Sequence, residues 1–496
     1  MTNRVRRHIS IDEKLLFDQA TGNRSSFELA PLDVDYPGAD RLLPRELVRE
    51  DVPHFPELNE VEVNRHFTRL STYNYFIDLG LYPLGSCTMK YNPKINEKMA
   101  RIPSFAEAHP LQLHENTQGC LRLMKHLEEM LLAVTGMAGA TLQPLAGAHG
   151  EMTGMMLIRA ALEARGNPRR TVLIPDSAHG TNPASAVLCG YDAITLKSNS
   201  KGCIDLAELR EKLDENVACL MLTNPNTLGV FEENILEISR LVHENGSLIY
   251  MDGANFNAFM GIARPGEMGI DVMHLNLHKT FSTPHGGGGP GAGPVVVGEE
   301  LLPFLPVPVI YEKADGELTL DYDRPASIGK VAGFYGNFGV LVRALTYMMR
   351  LGRDGIKAVA EHAVLNANYL RHHLQDVYHL EYGQPTMHEV VFDDRYQEEF
   401  GVSTMDIAKR LLEYGFHPPT VYFPLIVHGA MMIEPTETET KEELDAFIET
   451  MKQIAAEARA NPAVFRQAPQ ALRTARLDET GAARTPILTW QQARES

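Results

Sequence analysis

A lysine at the end of a short apolar run is the first residue that could do chemistry. Residues 272–277 are mostly apolar and predict a buried strand, which delivers His278 and Lys279 to its end. Hydroxyl side chains and the glycine-rich stretch 286–293 follow immediately. A lysine in this setting could condense with an aldehyde beside a bound phosphate. A His-Lys pair taken alone is more often a surface feature before a flexible loop, so the neighbouring segments must decide.

An aspartate ends the preceding apolar run. Residues 247–252 predict a second short strand, and Asp252 at its end is followed by a Gly-Ala-Asn segment. Two adjacent strand ends, one with an acid and one with a lysine, match the needs of pyridoxal phosphate. The lysine would bond to the cofactor aldehyde, and the acid would keep the pyridine nitrogen protonated so that the ring accepts electrons. Ala254 could pack against one face of that ring.

Strands and helices alternate before these two runs. Residues 171–175 and 217–222 predict strands, and the polar turn after each leads toward a helix. Such alternation predicts a mainly parallel sheet covered by helices, with ligands at the carboxyl ends of the strands. His179 follows the first strand and could stack on the cofactor ring. Asn224 follows the second and could donate to the phenolic oxygen, with Thr227 as a further neighbour. A single residue of these types at a helix entry is more often a cap, so their convergence carries the hypothesis.

A run of small residues comes before a periodic apolar segment. Gly147, Ala148 and His149 precede residues 152–164, whose spacing predicts a helix. Small residues at a helix entry can cradle a phosphate, because the first N–H groups are free and the helix dipole favours an anion. We expect these three residues, together with His278, to hold the cofactor phosphate. Any glycine-rich helix entry looks similar, and the position well upstream of a candidate lysine is what gives this one weight.

The composition narrows the class of protein. Of the 496 residues, 44% are hydrophobic and 22% are charged, as expected for a globular protein with a large core. The formal net charge of −18 argues against nucleic-acid binding, which usually needs a basic patch. Five cysteines without C-x-x-C spacing indicate reduced thiols and no metal site. The sequence shows no apolar leader and no long apolar run, so we expect a cytoplasmic protein that does not enter a membrane.

The length predicts two or three domains. Residues 1–65 are polar and interrupted by prolines, and we expect an extended arm lying over a partner subunit, with disorder as the alternative. Residues 66–344 contain the alternating strands and helices and would form the large cofactor-binding domain. Residues 345–465 mix helices with short strands and predict a smaller α+β C-terminal domain. Residues 466–496 predict a polar tail.

Four parts of the chain together resemble one family. The stretches are 82–93 (YPLGSCTMKYNP), 143–151 (QPLAGAHGE), 176–183 (DSAHGTNP) and 276–281 (NLHKTF) with 284–291 (PHGGGGPG). They closely resemble glycine decarboxylase, the P-protein of the glycine cleavage system. The resemblance runs from the N-terminal region to about residue 450 and is far more specific than any single glycine-rich motif. In many organisms the P-protein is one chain of two similar halves, and this sequence looks like the second half encoded separately, the β subunit.

The resemblance implies an α/β protein of fold type I among pyridoxal phosphate enzymes, with a mainly parallel sheet in the large domain and a smaller α+β domain. It implies an α2β2 assembly with a separate α subunit. In the implied reaction glycine loses CO2, and the aminomethyl group passes to the lipoyl arm of the H-protein. Lys279, Asp252 and His179 would be the catalytic residues. The group that holds the glycine carboxylate is not evident from the sequence, and Thr88 and His149 are the candidates.

Two other classes of function stay open at this point. Another fold type I enzyme, such as an aminotransferase or a cysteine desulfurase, would use the same lysine and aspartate. An aminotransferase commonly binds the substrate carboxylate with a C-terminal-domain arginine, and residues 416–435 contain none. A non-catalytic assembly subunit is the second alternative, and intact Lys279 and Asp252 argue against it.

Overall fold

A computed structural model of the chain describes most of its residues. The described residues are 13–19, 30–49, 55–286, 291–470 and 472–495. They form two compact units, one from the described parts of residues 1–79 and 469–496 and the other from residues 80–468. The domain boundaries expected at residues 65, 344 and 465 remain predictions. Every predicted site residue lies in the larger unit.

Helices occur in both units. In chain order they are α1 (Leu16–Gln19), α2 (Ala39–Leu42), α3 (Glu60–Ser71), α4 (Lys94–Ala100), α5 (Pro103–Ala106), α6 (Gln118–Thr135), α7 (Gly147–Ala164), α8 (Thr181–Leu188), α9 (Leu206–Lys212), α10 (Ile235–Glu244), α11 (Phe338–Leu374), α12 (Arg395–Glu398), α13 (Thr404–Glu413), α14 (Lys441–Ala460), α15 (Ala463–Gln467), α16 (Glu479–Arg484) and α17 (Trp490–Glu495). Helix α11 is broken at Gly352, whose φ of 63° separates two helical segments. Helix α7 confirms the helix expected over 152–164 and begins five residues earlier, because the small residues themselves form its first turn.

The strands belong to a large sheet, a small sheet and a hairpin. In chain order they are β1 (Gly139–Thr141), β2 (Thr171–Pro175), β3 (Asp192–Leu196), β4 (Val217–Thr223), β5 (Leu248–Gly253), β6 (Val272–Leu275), β7 (Val295–Val297), β8 (Val309–Glu312), β9 (Leu318–Asp321), β10 (Val390–Phe392), β11 (Thr420–Val421) and β12 (Met431–Ile433). The large sheet has the order β1-β7-β6-β5-β4-β2-β3. Its strands run parallel except β7, which is antiparallel to both of its neighbours. The prediction of a mainly parallel sheet is confirmed.

Both faces of the large sheet are buried, which explains why its central strands read as continuous apolar runs. Successive side chains of a strand point to opposite faces. In β4, Leu220 and Leu222 pack into the core formed with α6, α10 and α11, while Cys219 and Met221 pack into the core formed with α7 and α8. Full burial of one such side chain stabilises the fold by about 1.5–3 kcal/mol. The layers of helices therefore fix the sheet, and the sheet fixes the strand ends.

A small antiparallel sheet lies later in the same unit. Its order is β10-β12-β11, and the second half of α11 together with α13 and α14 packs on it. The core of this region includes Phe392 of β10, Ile433 of β12 and Phe447 of α14, all fully buried. This mixture of helices and short strands is the α+β region that the sequence predicts after the large sheet.

The smaller unit joins the two ends of the chain. Glu13 accepts hydrogen bonds from Arg69 of α3 at 3.0 and 3.1 Å, and its carboxylate lies 3.2 Å from a ring nitrogen of His66. The indole of Trp490 stacks on Phe17 with ring centroids 5.5 Å apart. The expected arm partly falls at residues 1–12, 20–29 and 50–54, which lie outside the described residues. Its placement over a partner subunit remains a prediction. Among the described residues, no helix combines the length and apolar character that a membrane crossing requires.

Candidate active site

The lysine and the aspartate lie at the carboxyl ends of neighbouring parallel strands. Asp252 stands in β5 opposite His274 of β6, and Lys279 follows β6 after a short turn. Both side chains are buried, with exposed fractions of 1% for Asp252 and 9% for Lys279. Lys279 Nζ donates a hydrogen bond of 2.7 Å to the carbonyl oxygen of Ser86. The sheet thus brings together the acid and the amine that the sequence predicts there.

Asp252 has one satisfied oxygen and one free oxygen. Its Oδ1 accepts the N–H of Ala254 at 2.9 Å and lies 3.5 Å from Nε2 of His274. Its Oδ2 is buried and accepts no hydrogen bond from the described residues. Burial acts to raise the pKa of Asp252, but the charges of His274 and His179 outweigh it and hold the pKa below its ordinary value. The carboxylate is therefore ionised and has an oxygen available for a cationic N–H.

His179 faces this carboxylate at the start of α8. One ring nitrogen of His179 and one carboxylate oxygen each of Asp252 and Glu151 lie within 4.8 Å of one another. The Nδ1 atom of His179 is 2.8 Å from the hydroxyl of Thr181, which donates to Glu151 Oε1 at 2.6 Å. Burial lowers the pKa of His179, although the nearby Asp252 opposes the shift. An oriented imidazole therefore lies beside the acid, and its stacking on a cofactor ring remains a prediction.

Asn224 and Thr227 follow β4, as the sequence predicts, but they are not equally available. Asn224 Oδ1 accepts the N–H of Glu232 at 3.1 Å, whereas its Nδ2 is buried and has no partner among the described residues. The hydroxyl of Thr227 donates to the carbonyl oxygen of Ser177 at 2.8 Å. Asn224 therefore keeps a free donor for a ligand, while the hydroxyl hydrogen of Thr227 is already used within the protein.

The small residues at 147–149 form the first turn of α7. Gly147 lies so close to Asn276 that a Cβ atom there would stand 2.7 Å from its Oδ1. Ala148 is exposed, and Nδ1 of His149 accepts the N–H of Leu145 at 3.2 Å. Burial lowers the pKa of His149. Helix α7 has eighteen residues, and the N–H groups of its first turn have no partner within the helix. Anions favour such a helix N-terminus.

His278 lies beside the lysine and is held by the chain that follows the glycine-rich loop. Its Nδ1 accepts the N–H of Ala292 at 3.4 Å, and its ring is 5.2 Å from that of His285. Burial, with the neighbouring His285, lowers the pKa of His278 to about 3. The ring is therefore neutral and its Nε2 can donate a hydrogen bond. Residues 287–290 of the predicted glycine-rich loop lie outside the described residues.

Two family models match the chain. Residues 359–475 match "Glycine dehydrogenase, C-terminal domain", and residues 148–390 match "Aminotransferase class-V". A probable glycine dehydrogenase (decarboxylating) subunit 2 of Caldanaerobacter subterraneus subsp. tengcongensis is 56% identical over 477 residues, covering 96% of this chain and 98% of the relative. The protein with the same description from Bacillus licheniformis is 55% identical over 482 residues, covering 97% and 99%. The chain belongs to the glycine dehydrogenase (decarboxylating) subunit 2 family.

Solved structures agree with this assignment at the level of the fold. An inhibitor-bound glycine decarboxylase (P-protein) of the glycine cleavage system superposes with a TM-score of 0.71 at 21% identity, covering 84% of this chain and 95% of that one. A cysteine desulfurase from Thermococcus onnurineus NA1 superposes with a TM-score of 0.59 at 15% identity, covering 76% and 95%. At these identities the likeness establishes the fold alone. The predicted α/β class of fold type I is confirmed.

Two buried glutamates also lie at this site, and the sequence did not predict them. Glu434 Oε2 accepts both the N–H and the hydroxyl of Thr88 at 3.1 Å, and Glu389 Oε2 accepts the N–H of Ser86 at 2.8 Å. Thr88, a candidate for the substrate carboxylate, thus has its donors engaged by a glutamate, and that role remains a prediction. Both acids adjoin short apolar strands, the same signal that marks Asp252. They were not predicted as site residues because nothing in the sequence links the small sheet to Lys279.

A sizeable cavity lies away from these residues. It has a volume of about 290 Å³ and is lined mainly by apolar side chains of α5, α6 and the start of α11, including Phe105, Leu121 and Phe338. None of the predicted site residues lines it. The convergence of buried polar groups at the strand ends, rather than cavity size, therefore locates the candidate site.

Proposed function

We propose that this chain is the lysine-bearing subunit of a pyridoxal phosphate-dependent glycine decarboxylase. The observation that carries the proposal is the juxtaposition of Lys279 with the ionised, half-satisfied carboxylate of Asp252 at adjacent strand ends. Membership of the glycine dehydrogenase subunit 2 family supports glycine as the substrate. The relatives are described as decarboxylating, which also supports decarboxylation as the reaction.

The free polar atoms of the site fit pyridoxal phosphate. Asp252 Oδ2 can accept the N–H of a pyridinium ring, and Asn224 Nδ2 can donate to a phenolic oxygen. The first turn of α7, where Gly147 has no room for a side chain, can receive the phosphate with His149 and His278. His179 and Ala254 would lie on the two faces of the ring. Bound there, the cofactor supplies an aldehyde for the substrate amine and a ring that accepts an electron pair.

The protein's own groups then have distinct tasks. Asp252 holds a negative charge in a buried place, which favours a protonated ring nitrogen. Lys279 bonds to the cofactor at rest and, as a free amine, can carry a proton on Nζ while Ser86 accepts its hydrogen bond. Burial of these groups keeps water away from the reacting carbon, which strengthens each charge interaction. Thr88 and His149 are the proposed neighbours of the glycine carboxylate.

The proposed partners follow from the family. A protein named subunit 2 implies a subunit 1, and we infer an α2β2 assembly with that α chain. The acceptor of the aminomethyl group would be the lipoyl disulfide of the H-protein. We place the enzyme in the cytoplasm. No role for a nucleic acid or a metal ion enters this proposal, and an aminotransferase or a non-catalytic subunit is the alternative that the experiment must exclude.

Exchange of labelled bicarbonate into glycine tests the proposal. The purified chain with pyridoxal phosphate and lipoylated carrier should exchange label very poorly alone and should gain activity when the α chain is added. Transamination of glycine without exchange would favour an aminotransferase instead. Absence of both reactions in the reconstituted complex would favour a non-catalytic subunit. Full exchange by the chain alone would contradict the two-subunit assembly and leave a self-sufficient enzyme.

A further inference from the structure

The loop that binds Lys279 has an unusual backbone. Ser86 has a φ of 64° and Thr88 a φ of 44°, in the left-handed region that residues with side chains rarely adopt. Thr88 is β-branched, which makes this conformation rarer still. The carbonyl oxygen of Ser86 is the acceptor for Lys279 Nζ. The loop consists of residues 85–88. Contacts from outside it must therefore hold the Ser86 carbonyl oxygen, which accepts the hydrogen bond of Lys279, in position.

Two carboxyl groups provide those contacts. Glu389 Oε2 accepts the N–H of Ser86 at 2.8 Å, and Glu434 Oε2 accepts the N–H and hydroxyl of Thr88 at 3.1 Å each. Glu434 Oε1 also accepts Nδ2 of Asn255 at 2.8 Å. Glu389 stands just before β10 and Glu434 just after β12, and these two strands pair antiparallel. The small sheet therefore holds the loop at both of its strained residues.

The two acids are close together and shielded from water. Their exposed fractions are 2% for Glu389 and 0% for Glu434. One oxygen of each and one ring nitrogen of His388 lie within 4.8 Å of one another. Burial lowers the pKa of His388 to about 3, so this ring is neutral and does not balance the charge. Two like charges at this separation in a buried place oppose each other strongly.

Among the residues that the structure describes, few positive charges face the two carboxylates. The positive charge of Lys279 acts to lower the pKa of both Glu389 and Glu434. Lys90 also faces Glu434, but its ammonium is hydrogen bonded to Glu437 at 2.8 Å. The thiol of Cys87 faces both acids too, and burial raises its pKa so that it stays neutral. The ammonium of Lys279 also acts on Asp252, whose charge His274 stabilises more strongly. Among the described residues, one ammonium therefore faces the two glutamates, and it can balance only one of their carboxylate charges.

The acid–base properties agree with this charge count. Burial and the neighbouring Glu434 raise the pKa of Glu389 well above its ordinary value. Burial raises the pKa of Glu434 to about 7, although hydrogen bonds from Asn255 and Thr88 oppose the shift. The two groups titrate as a pair rather than independently.

We propose that Glu389 and Glu434 share one proton at neutral pH, and that this carboxyl pair positions the free ammonium of Lys279 through the Gly85–Thr88 loop. The proposal rests on the proposed function only in taking Lys279 as the amine that bonds to the cofactor. The two glutamates are positioning residues. Their single negative charge balances one ammonium, and Ser86 supplies the oxygen at which that ammonium rests while glycine occupies the cofactor.

The shared proton sets how readily the lysine becomes reactive. The amine must lose its proton before its lone pair could bond to the aldehyde carbon of the cofactor again, with the substrate-derived amine as the leaving group. If the pair lost its own proton, a second negative charge would hold the ammonium more tightly and would oppose that step. We therefore expect the bond between lysine and cofactor to depend on the ionisation of the pair as well as on that of the lysine.

Infrared spectroscopy of the cofactor-free protein tests the shared proton directly. The parent at pH 7 should show the carbonyl stretch of a protonated carboxyl group that disappears reversibly as pH rises. Glu389→Gln and Glu434→Gln should each remove this component, because the remaining acid then has no carboxylate neighbour and ionises. Each single variant keeps the net charge of the pair at −1, so Gln tests the proton without changing the charge that faces the lysine.

A pH titration of cofactor binding tests the positioning role. The absorbance of the lysine–cofactor adduct should follow two ionisations in the parent and only that of the lysine in either single variant. The double variant removes the charge, and the pH at which the adduct forms should then fall by about one unit. Glu128→Gln serves as a control, because Glu128 is a buried acid of α6 whose own pKa is about 8. It should remove one infrared component and leave the adduct titration unchanged.

Three results would overturn the proposal. The first is the absence of a protonated-carboxyl component from the difference spectra of both single variants at pH 7. The second is persistence of the component in one single variant, which would mean that burial alone retains the proton. The third is an unaltered adduct titration in the double variant with a native near-ultraviolet dichroism spectrum. If one Gln variant fails to fold, the difference spectrum of the other decides, because the parent spectrum alone also contains the protonated carboxyl group of Glu128. These outcomes do not depend on bicarbonate exchange, so the carboxyl pair and the proposed function can fail separately.

Discussion

Two buried acidic regions flank Lys279, and the pKa values of their carboxyl groups are shifted in opposite directions. Asp252 at the edge of the large sheet has a pKa below its ordinary value, whereas Glu389 and Glu434 beside the small sheet have raised pKa values. All three side chains are almost fully buried. Burial alone would favour the protonated acid in every case. The difference therefore arises from the neighbours of each carboxyl group.

Asp252 faces imidazole rings, while each glutamate faces another acid. His274 and His179 stabilise the charge of Asp252, and its Oδ1 also accepts the Ala254 N–H. Glu434 accepts hydrogen bonds that favour its charged form, but the loss of water on burial prevails, and a second acid lies beside it. One region thus keeps a permanent negative charge for the cofactor ring. The other region, as we propose, keeps one shared proton near the amine of Lys279.

The largest effect is expected where the two regions meet. Lys279→Ala removes the only group that we expect to bond to the cofactor aldehyde, so the borohydride-reducible adduct and bicarbonate exchange should both fall to the detection limit. The protein should still fold, and a native near-ultraviolet dichroism spectrum would check this, because the buried carboxyl pair that loses its ammonium can take up a second proton. Lys313→Ala, at an exposed lysine paired with Glu317, is the matched control and should keep both signals. A reducible adduct in Lys279→Ala would refute the assignment of the lysine.

The next largest effect is expected when the ionised region loses the charge of Asp252. Asp252→Asn keeps the size and the acceptor for the Ala254 N–H but removes the negative charge. The adduct with Lys279 should survive, and exchange should fall on the order of 10²–10³-fold, the range seen when one preorganised charge-stabilising group is lost. Absorbance and bicarbonate exchange measured on the same sample separate binding from turnover. Exchange within a few-fold of the parent would mean that Asp252 does not support the ring nitrogen. Asp315→Asn in an exposed turn is the control.

The ionised region could be predicted from the sequence and the protonated region could not. Asp252 and Lys279 each end a short apolar run, and parallel strands place their carboxyl ends at one edge. This rule also indicated His179 and Asn224, whereas the small residues at a helix entry indicated the first turn of α7. It does not reach Glu389 and Glu434, because they belong to another sheet, and only the tertiary fold brings that sheet to the lysine. The Gly85 N–H bond to the carbonyl of Met432, 3.2 Å long, is one of the contacts that make this junction.

The limits of strand prediction have a similar physical cause. Strands β2, β4 and β5 are buried on both faces, so their apolar runs are unmistakable in the sequence. Strand β3 (Asp192–Leu196) lies at the sheet edge with four of its five residues exposed, and its mixed composition gave no signal. Site residues at the ends of buried strands are therefore predictable, while those held by edges and loops require the structure.

A smaller effect should sharpen the comparison by weakening the ionised region. His274 lies 3.5 Å from Asp252 Oδ1, and its Nδ1 is 2.5 Å from the hydroxyl of Tyr250. His274→Gln removes a charge that lowers the pKa of Asp252, so that pKa should rise. Asp252 would then protonate at a higher pH, and the acid limb of bicarbonate exchange should move to higher pH. An unchanged pH profile would show that His274 does not set the charge of the acid. His243→Gln, at an exposed histidine paired with Asp271, should leave the profile in place.

The smallest effect concerns an acid whose burial is offset by no close partner. Oε2 of Glu128 in α6 lies 3.9 Å from Nζ of Lys125, and burial raises the pKa of Glu128 from 4.5 to about 8. A raised pKa in the folded state gives stability that is complete below the unfolded value, about 4.3, and that is lost as pH rises to about 8. Each pH unit in this window costs about 1.4 kcal/mol. Glu128→Gln has no such dependence, so its thermal midpoint should exceed that of the parent increasingly from pH 5 to pH 8 and by a constant margin above it. The exposed Glu361→Gln should show no such trend. Parallel unfolding curves for parent and Glu128→Gln at every pH would mean that burial does not govern this carboxyl, and would weaken the same argument for Glu389 and Glu434.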